Sequence, residues 1–276
     1  MGVFLGGVSS LLYGLGDFLG GEGAKRVSAA TVVFWAGLAS VPLIALSALI
    51  VGGEVTGRDL WAGAAAGSAG ALGLVSLFAG LGKGQAAAVA PAAAAVSGLF
   101  PLLIALTTGD TLSRLEWAGV AVAVPAIVLC SWVADPGEVP LGGVWYGFLA
   151  GIGFGGYTVL IDLTAQSSGL VPLVPARIAT ALVVAGLAAT GAWSVTSFRS
   201  APRRIVIGNG VLDTAGNVAL LLALRAGSLA RVAIAASFYP AVTVLLARFV
   251  NAEQLRLRQV VGVVLTPVAL GAIALG

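Results

Sequence analysis

Apolar stretches long enough to cross a lipid bilayer recur along the whole of this chain, separated by brief polar or Gly/Pro-rich breaks. A spanning helix needs about 20 predominantly apolar residues, and runs of about 18 with few charges are the usual signal. Ten such segments are predicted, at 3–21, 28–51, 60–81, 85–106, 114–134, 143–164, 170–195, 204–226, 229–250 and 257–275. Most connections are very short. The longer ones are 52–59, 135–142 and 196–203.

Composition agrees with a lipid-facing surface. Charged residues make up 9% of the chain and hydrophobic ones 59%, against roughly 25% charged in a soluble domain. Mean hydropathy is +1.07. The 14 Lys+Arg and 11 Asp+Glu leave no room for a soluble domain between the spans. A multi-pass protein of the cell membrane is expected, with lipid as its surroundings. The pI of 9.4 reflects an excess of only +3, and no basic run interleaved with aromatics points to nucleic acid. Arg203 and Arg204, the densest basic spot, read as a membrane-surface loop. Cys130 is the only cysteine, so no internal disulfide is expected. The opening MGVFLGG lacks the basic stretch of a cleavable leader, and the first segment is expected to be retained.

The chain also repeats itself. FLGGV at 4–8 matches FLAGI at 148–152, and the same offset of 144 superposes Tyr13 on Tyr157. An offset of 143 pairs Gly67 with Gly210, Gly73 with Gly216, Gly84 with Gly227, Asp110 with Glu253 and Gly119 with Gly262. Two units follow, 1–137 and 138–276, with five spans each. Five is odd, so the second unit enters the membrane in the opposite sense. The predicted fold class is an all-α integral membrane bundle of ten helices in two inverted five-helix repeats, an architecture recurrent among secondary transporters. The 40 glycines, several at four-residue spacing as in Gly147/Gly151/Gly155, supply faces on which helices pack closely. Such faces also suit a homodimer interface.

Charges inside a span cost roughly 2.5 to 3.5 kcal/mol near the helix centre, so each requires a reason. Asp213 lies mid-way along the eighth segment, with Asn209 and Asn217 one turn to either side. This polar stripe is expected to bind substrate or carry a proton; the alternative is a hydrogen-bond network that fixes helix packing. Its repeat partners Ala66, Gly70 and Leu74 are apolar, so the shared scaffold does not require it. Asp17 and Asp162 follow Tyr13 and Tyr157 toward the ends of the first and sixth segments. An ion pair between Asp162 and Arg177 is expected, as a gate or as a static lock. Tyr13, Tyr157 and Tyr239 are candidate substrate contacts, and Tyr239 and Pro240 are placed mid-helix in the ninth segment, where proline kinks the helix. Pro91, Pro101, Pro125 and Pro267 offer similar breaks.

No histidine, paired-carboxylate cluster, phosphate-cradling loop or metal-ligand group points to an enzyme, a cofactor or a metal. A channel normally repeats rings of charge or carbonyls, whereas here the two halves carry different polar residues.

The stretch SFYPAVTVLLARFVNAEQLRLRQVVG at 237–262, with Pro240, Glu253, Gln259 and Gly262, resembles the end of EamA-type members of the drug/metabolite transporter superfamily. Pro101, Asp110, Glu116 and Gly119 form a weaker counterpart in the first half. The resemblance implies alternating access around a central cavity, and export of a small organic metabolite or toxic compound without ATP hydrolysis. A lipid or lipid-linked-sugar flippase of the same fold is the alternative. Relatives carry Arg in the second helix of each half; here Arg177 fills that place in the second half, while the first has Trp35 and apolar residues.

Orientation can be read in two ways. Arg58, Arg114, Arg177, Arg225 and Arg231 lie toward the end that carries both termini. Lys25, Arg26, Lys83, Arg199, Arg203, Arg204, Arg248, Arg256 and Arg258 lie toward the other. The positive-inside rule makes the second end cytoplasmic, whereas the resemblance places both termini inside. A reporter fused to Gly276 separates them: activity confined to the cytoplasm supports the family arrangement, and activity confined to the far side supports the charge rule.

Overall fold

In a computed structural model, which describes residues 1–82, 86–131, 141–191, 193–252 and 254–276, the chain is helical throughout, with no strand among the described residues. The helices are α1 (Gly2–Ala24), α2 (Ala29–Val51), α3 (Gly57–Gly82), α4 (Ala86–Thr107), α5 (Arg114–Ser131), α6 (Leu141–Asp162), α7 (Leu173–Ala189), α8 (Arg203–Ala226), α9 (Leu229–Ala236), α10 (Tyr239–Val250) and α11 (Leu257–Leu275). Hydrocarbon offers no partner to a peptide group, so helices, which satisfy their backbone internally, are the solution for such runs. Among the described residues nine segments are long and apolar enough to cross a membrane, with α9 and α10 counted together as Leu229–Val250. The remaining segment, α7, is apolar but only 17 residues long. The protein is therefore an all-α, multi-pass membrane bundle. The junction at 137/138, Lys83, Gly84 and Glu253 lie outside the described residues.

Two segments differ from expectation. The seventh was predicted over 170–195, but a 3-10 turn at Gln166–Ser168 precedes α7, which ends at Ala189. The ninth was predicted as one helix with Tyr239 and Pro240 in its middle. It is broken instead: α9 ends at Ala236, and Pro240 sits in the first turn of α10. Proline has no N–H to donate and is tolerated in a first turn, where that donor would lack an intrahelical acceptor. Pro91, Pro101, Pro125 and Pro267 lie inside unbroken helices, as does Pro42.

Helix contacts come in matched sets. α1 packs on α8 and α3 on α6; α2 packs on α8 and α7 on α3; α4 lies against α6, while α9 and α10 lie against α1; and α5 pairs with α11. Exchanging the first five crossings with the second five maps each set onto itself. The match extends to single residues. A Cβ on Gly119 would lie 2.7 Å from Ile273 Cγ1 and 3.1 Å from the Ala269 carbonyl oxygen. On Gly262 it would lie 2.6 Å from the Cys130 nitrogen and 2.8 Å from the Ala126 carbonyl oxygen. Ala126 and Ala269, like Cys130 and Ile273, are 143 positions apart, the offset that relates the two glycines. Likewise the Ala176 carbonyl presses on Gly67, and the Ala36 carbonyl on Gly210.

The interior is built largely from small residues. One cluster joins α4, α5, α9 and α11 around Leu102, Ile127, Ile234 and Phe238; a second joins α2, α3, α6, α7, α8 and α9 around Ile44, Ile161, Leu220 and Val232. Both termini lie at one end, Gly2 against Gly227 and Gly276 against Ser113. At that end Glu116 of α5 is buried and bonded to Arg231 of α9, and Asp110 accepts the Ala230 amide at 3.2 Å. Asp59 accepts the Ala165 amide at 2.7 Å.

Gly262→Ala is expected to destabilise the bundle by about 1–3 kcal/mol, because its Cβ meets backbone that cannot rotate away. Gly271→Ala, on the same helix with nothing within 4 Å, is expected to be neutral or stabilising by up to about 1 kcal/mol. Thermal unfolding of the two variants in detergent checks the contrast.

Candidate functional site

The intramembrane charges meet between α7 and α8. Arg177 is in the second turn of α7, and its guanidinium reaches Asp213 Oδ2 at 2.5 Å. Asp213 lies near the middle of α8. Asn217, one turn on, donates from Nδ2 to the Asp213 carbonyl at 2.7 Å and to Oδ2 at 3.3 Å. The carboxylate thus faces a guanidinium and an amide, both held by helix backbone. The Arg177 side chain is 15% exposed and that of Asp213 is 37% exposed, so water reaches the acid more readily than the base.

The pair expected from sequence, Asp162 with Arg177, is not the one formed. Asp162 is the last residue of α6, while the turn before α7 starts that helix late and carries Arg177 inward, to the level of Asp213. The cation whose field acts on Asp162 is Arg225. Arg225 in turn donates to the Thr164 carbonyl, to Thr164 Oγ1 at 2.6 Å and to Ser168 Oγ at 3.4 Å.

Two tyrosines from repeat-related positions bracket the pair. Tyr13 of α1 lies against Gly216, and Tyr157 of α6 against Gly70. Both phenols stand within the electrostatic reach of Arg177 and Asp213. Glycine matters at these two places, since a Cβ on Gly216 would lie 2.8 Å from the Tyr13 ring and one on Gly70 3.3 Å from the Tyr157 ring. Ser9 fixes the crossing by donating to the Gly216 carbonyl at 2.9 Å.

Asp17 extends the cluster toward the end opposite the termini. It is an exposed residue on which the charge of Asp213 acts. Tyr239, at the start of α10, lies within the electrostatic reach of Asp17. Asn209 has a different part: its Nδ2 donates to the Gly16 carbonyl at 2.7 Å, clamping α8 to α1.

Sequence reasoning thus missed the partner of Asp213 and the role of Ser9. It also missed the pairing of Glu116 with Arg231. A signal existed for the first: neither Arg177 nor Asp213 has a charged counterpart at the repeat-related position. Trp35, which stands where the first half lacks an Arg, donates from Nε1 to the Thr196 carbonyl at 2.8 Å and packs edge-on against Phe34. It therefore ties α2 to the loop before α8. Among the described residues no group of three or more His, Cys, Asp or Glu converges as a metal site.

Comparison with known proteins now bears on this arrangement. Residues 141–275 match the model of the EamA-like transporter family. A solved crystal structure superposes over 99% of this chain and 97% of its own length, with a TM-score of 0.74 at 16% identity, and so shares the fold. No curated protein matches the sequence.

Removing one member of the pair leaves the other charge stranded in the bundle. Arg177→Gln and Asp213→Asn are each expected to cost about 1–3 kcal/mol, discounted from the fully buried case because Asp213 is partly wet. The double variant is expected to recover most of that loss. A double-mutant cycle of thermal unfolding reads the coupling directly.

Proposed function

We propose that this chain, which belongs to the EamA-like transporter family, is a secondary transporter that exports a small organic metabolite or toxic compound by alternating access. The observation that carries the proposal is the Arg177–Asp213 pair, with Tyr13, Tyr157 and Asp17 within reach of its charges. An ion pair inside a membrane bundle is costly to keep and gives little net stability. It is useful where a solute can take the place of one partner. Arg177 offers a charged fork of donors, Asp213 an acceptor, and the tyrosines donors or acceptors on either side. A solute with a charged or strongly hydrogen-bonding group can exchange into this set without leaving either ion unpaired.

The two five-helix units belong to the same proposal. Matched contacts between halves, including Gly119 and Gly262, support an inverted repeat whose halves rock about the central site. The side carrying the termini is the closed one, held by Glu116–Arg231, Asp110 with the Ala230 amide, and Asp59 with the Ala165 amide. The water-accessible surface of Asp17 supports an opening toward the other end. Concentrated polarity favours a water-soluble solute over the amphiphile that a flippase would move.

Metabolite profiles of cells with and without the protein identify the solute. In proteoliposomes loaded with that solute, Asp213→Asn and Arg177→Gln are each expected to lower flux roughly tenfold or more, the loss of one hydrogen bond to a charged group. Arg58→Ala, at the end of the bundle, is expected to leave flux unchanged. Wild-type flux and pH dependence in Asp213→Asn overturn the proposed role of the pair.

A further inference from the structure

At the end opposite the termini, a groove of about 440 Å³ opens between the exit of α1 and the entry of α8, lined by Arg26, Arg203, Arg204, Ala201, Pro202 and Ile205. Three arginines border it, all exposed. Among the described residues none of the three forms a salt bridge. The acid that feels Arg26 is Glu22, and it is already held by Lys25 at 2.6 Å and by Asn251 at 2.8 Å. Arg203 is placed over the Phe198 ring, 5.6 Å from its centre, which restrains one guanidinium beside the groove.

The backbone adds to this positive field. α8 is 24 residues long, and its N-cap is Pro202, which supplies no side-chain acceptor. The amides of Ile205 and Val206 turn back to the Pro202 carbonyl, whereas those of Arg203 and Arg204 have no acceptor among the described residues. Free N–H groups and the helix dipole together favour an anion at this point.

The surroundings say which anion. Arg203 is followed on the same helix face by Ile207 and Val211, 44% and 45% exposed. The groove therefore sits where the apolar spans of α1 and α8 end, with an exposed apolar stripe running from it into the depth of the membrane. A phosphate at the arginines with a hydrocarbon chain along Ile207 and Val211 fits both halves of this surface. We infer that the Arg26/Arg203/Arg204 groove binds the phosphate of an anionic phospholipid headgroup, with one acyl chain lying along α8.

Native mass spectrometry of the detergent-purified protein, titrated with phosphatidylglycerol or phosphatidylcholine of the same chain length, tests this. Each basic residue near a membrane surface contributes about 1 kcal/mol toward anionic lipid, so a preference for phosphatidylglycerol of roughly tenfold or more is expected for three. Arg26→Ala/Arg203→Ala/Arg204→Ala is expected to abolish it, and Arg58→Ala/Arg114→Ala, at the other end, to keep it. If the triple variant does not fold, Arg204→Gln, which leaves Arg203 on Phe198, is expected to lower the preference severalfold. A full preference in the variants that fold overturns the inference, as does a wild type that does not distinguish the two lipids. Displacement of the lipid by millimolar inorganic phosphate, with equal retention of phosphate alone, assigns the groove to the free ion and overturns the lipid.

Discussion

Water exclusion does not press two helices together in hydrocarbon, because lipid chains are as apolar as leucine. Contact between backbones has to supply the attraction, and here it does so wherever glycine removes the intervening Cβ. The consequence is visible at Gly67 against Ala176, Gly210 against Ala36, and Gly119 and Gly262 across the α5–α11 seam. These contacts fix which helices are neighbours. The alanine-rich interior follows, since helices this close leave no room for larger side chains over much of their length. So does the position of the polar site: α8, packed on α1 and α2, brings Asp213 beside Arg177 of α7, which packs on α2 and α3.

Within this scaffold the halves divide their labour. Tyr13 and Tyr157 occupy equivalent places and approach the centre from opposite sides. Arg177 and Asp213, by contrast, both come from the second half, and the first half offers Gly70 and the region of Trp35 in their stead. The glycine at 70 leaves space that the Tyr157 ring takes up. A symmetric frame thereby carries an asymmetric charge pair, a cation and an anion with a defined direction between them.

Much of this was legible in the residues. Segment length and the scarcity of charge establish the membrane bundle, and repeated glycines at one offset point to the close contacts that the helices make. Asp213 and Asn217 stand out because charge and amide interrupt an apolar helix. What periodicity does not carry is depth. Arg177 and Asp162 look like neighbours near one membrane face, and only the 3-10 turn before α7 reveals that the arginine is carried inward. The same limit hides the Glu116–Arg231 bond, since each residue alone resembles a charge at a helix end. Pro240 illustrates the converse case: proline signals an irregularity, and whether the helix bends or ends depends on the neighbours that accept its freed carbonyls.

The matched contacts between halves have an energetic corollary. If exchanging the halves maps the packing onto itself, any arrangement that is tight at one end and loose at the other has a counterpart with the roles reversed. The glycine seams are the same in both, so the gap between them comes from residues without a repeat partner. In this chain these include Arg177 and Asp213 in the centre and the Glu116–Arg231 pair at one end. On the transport function proposed above, a cargo that engages Arg177 and Asp213 shifts this balance by its differential affinity for the two arrangements.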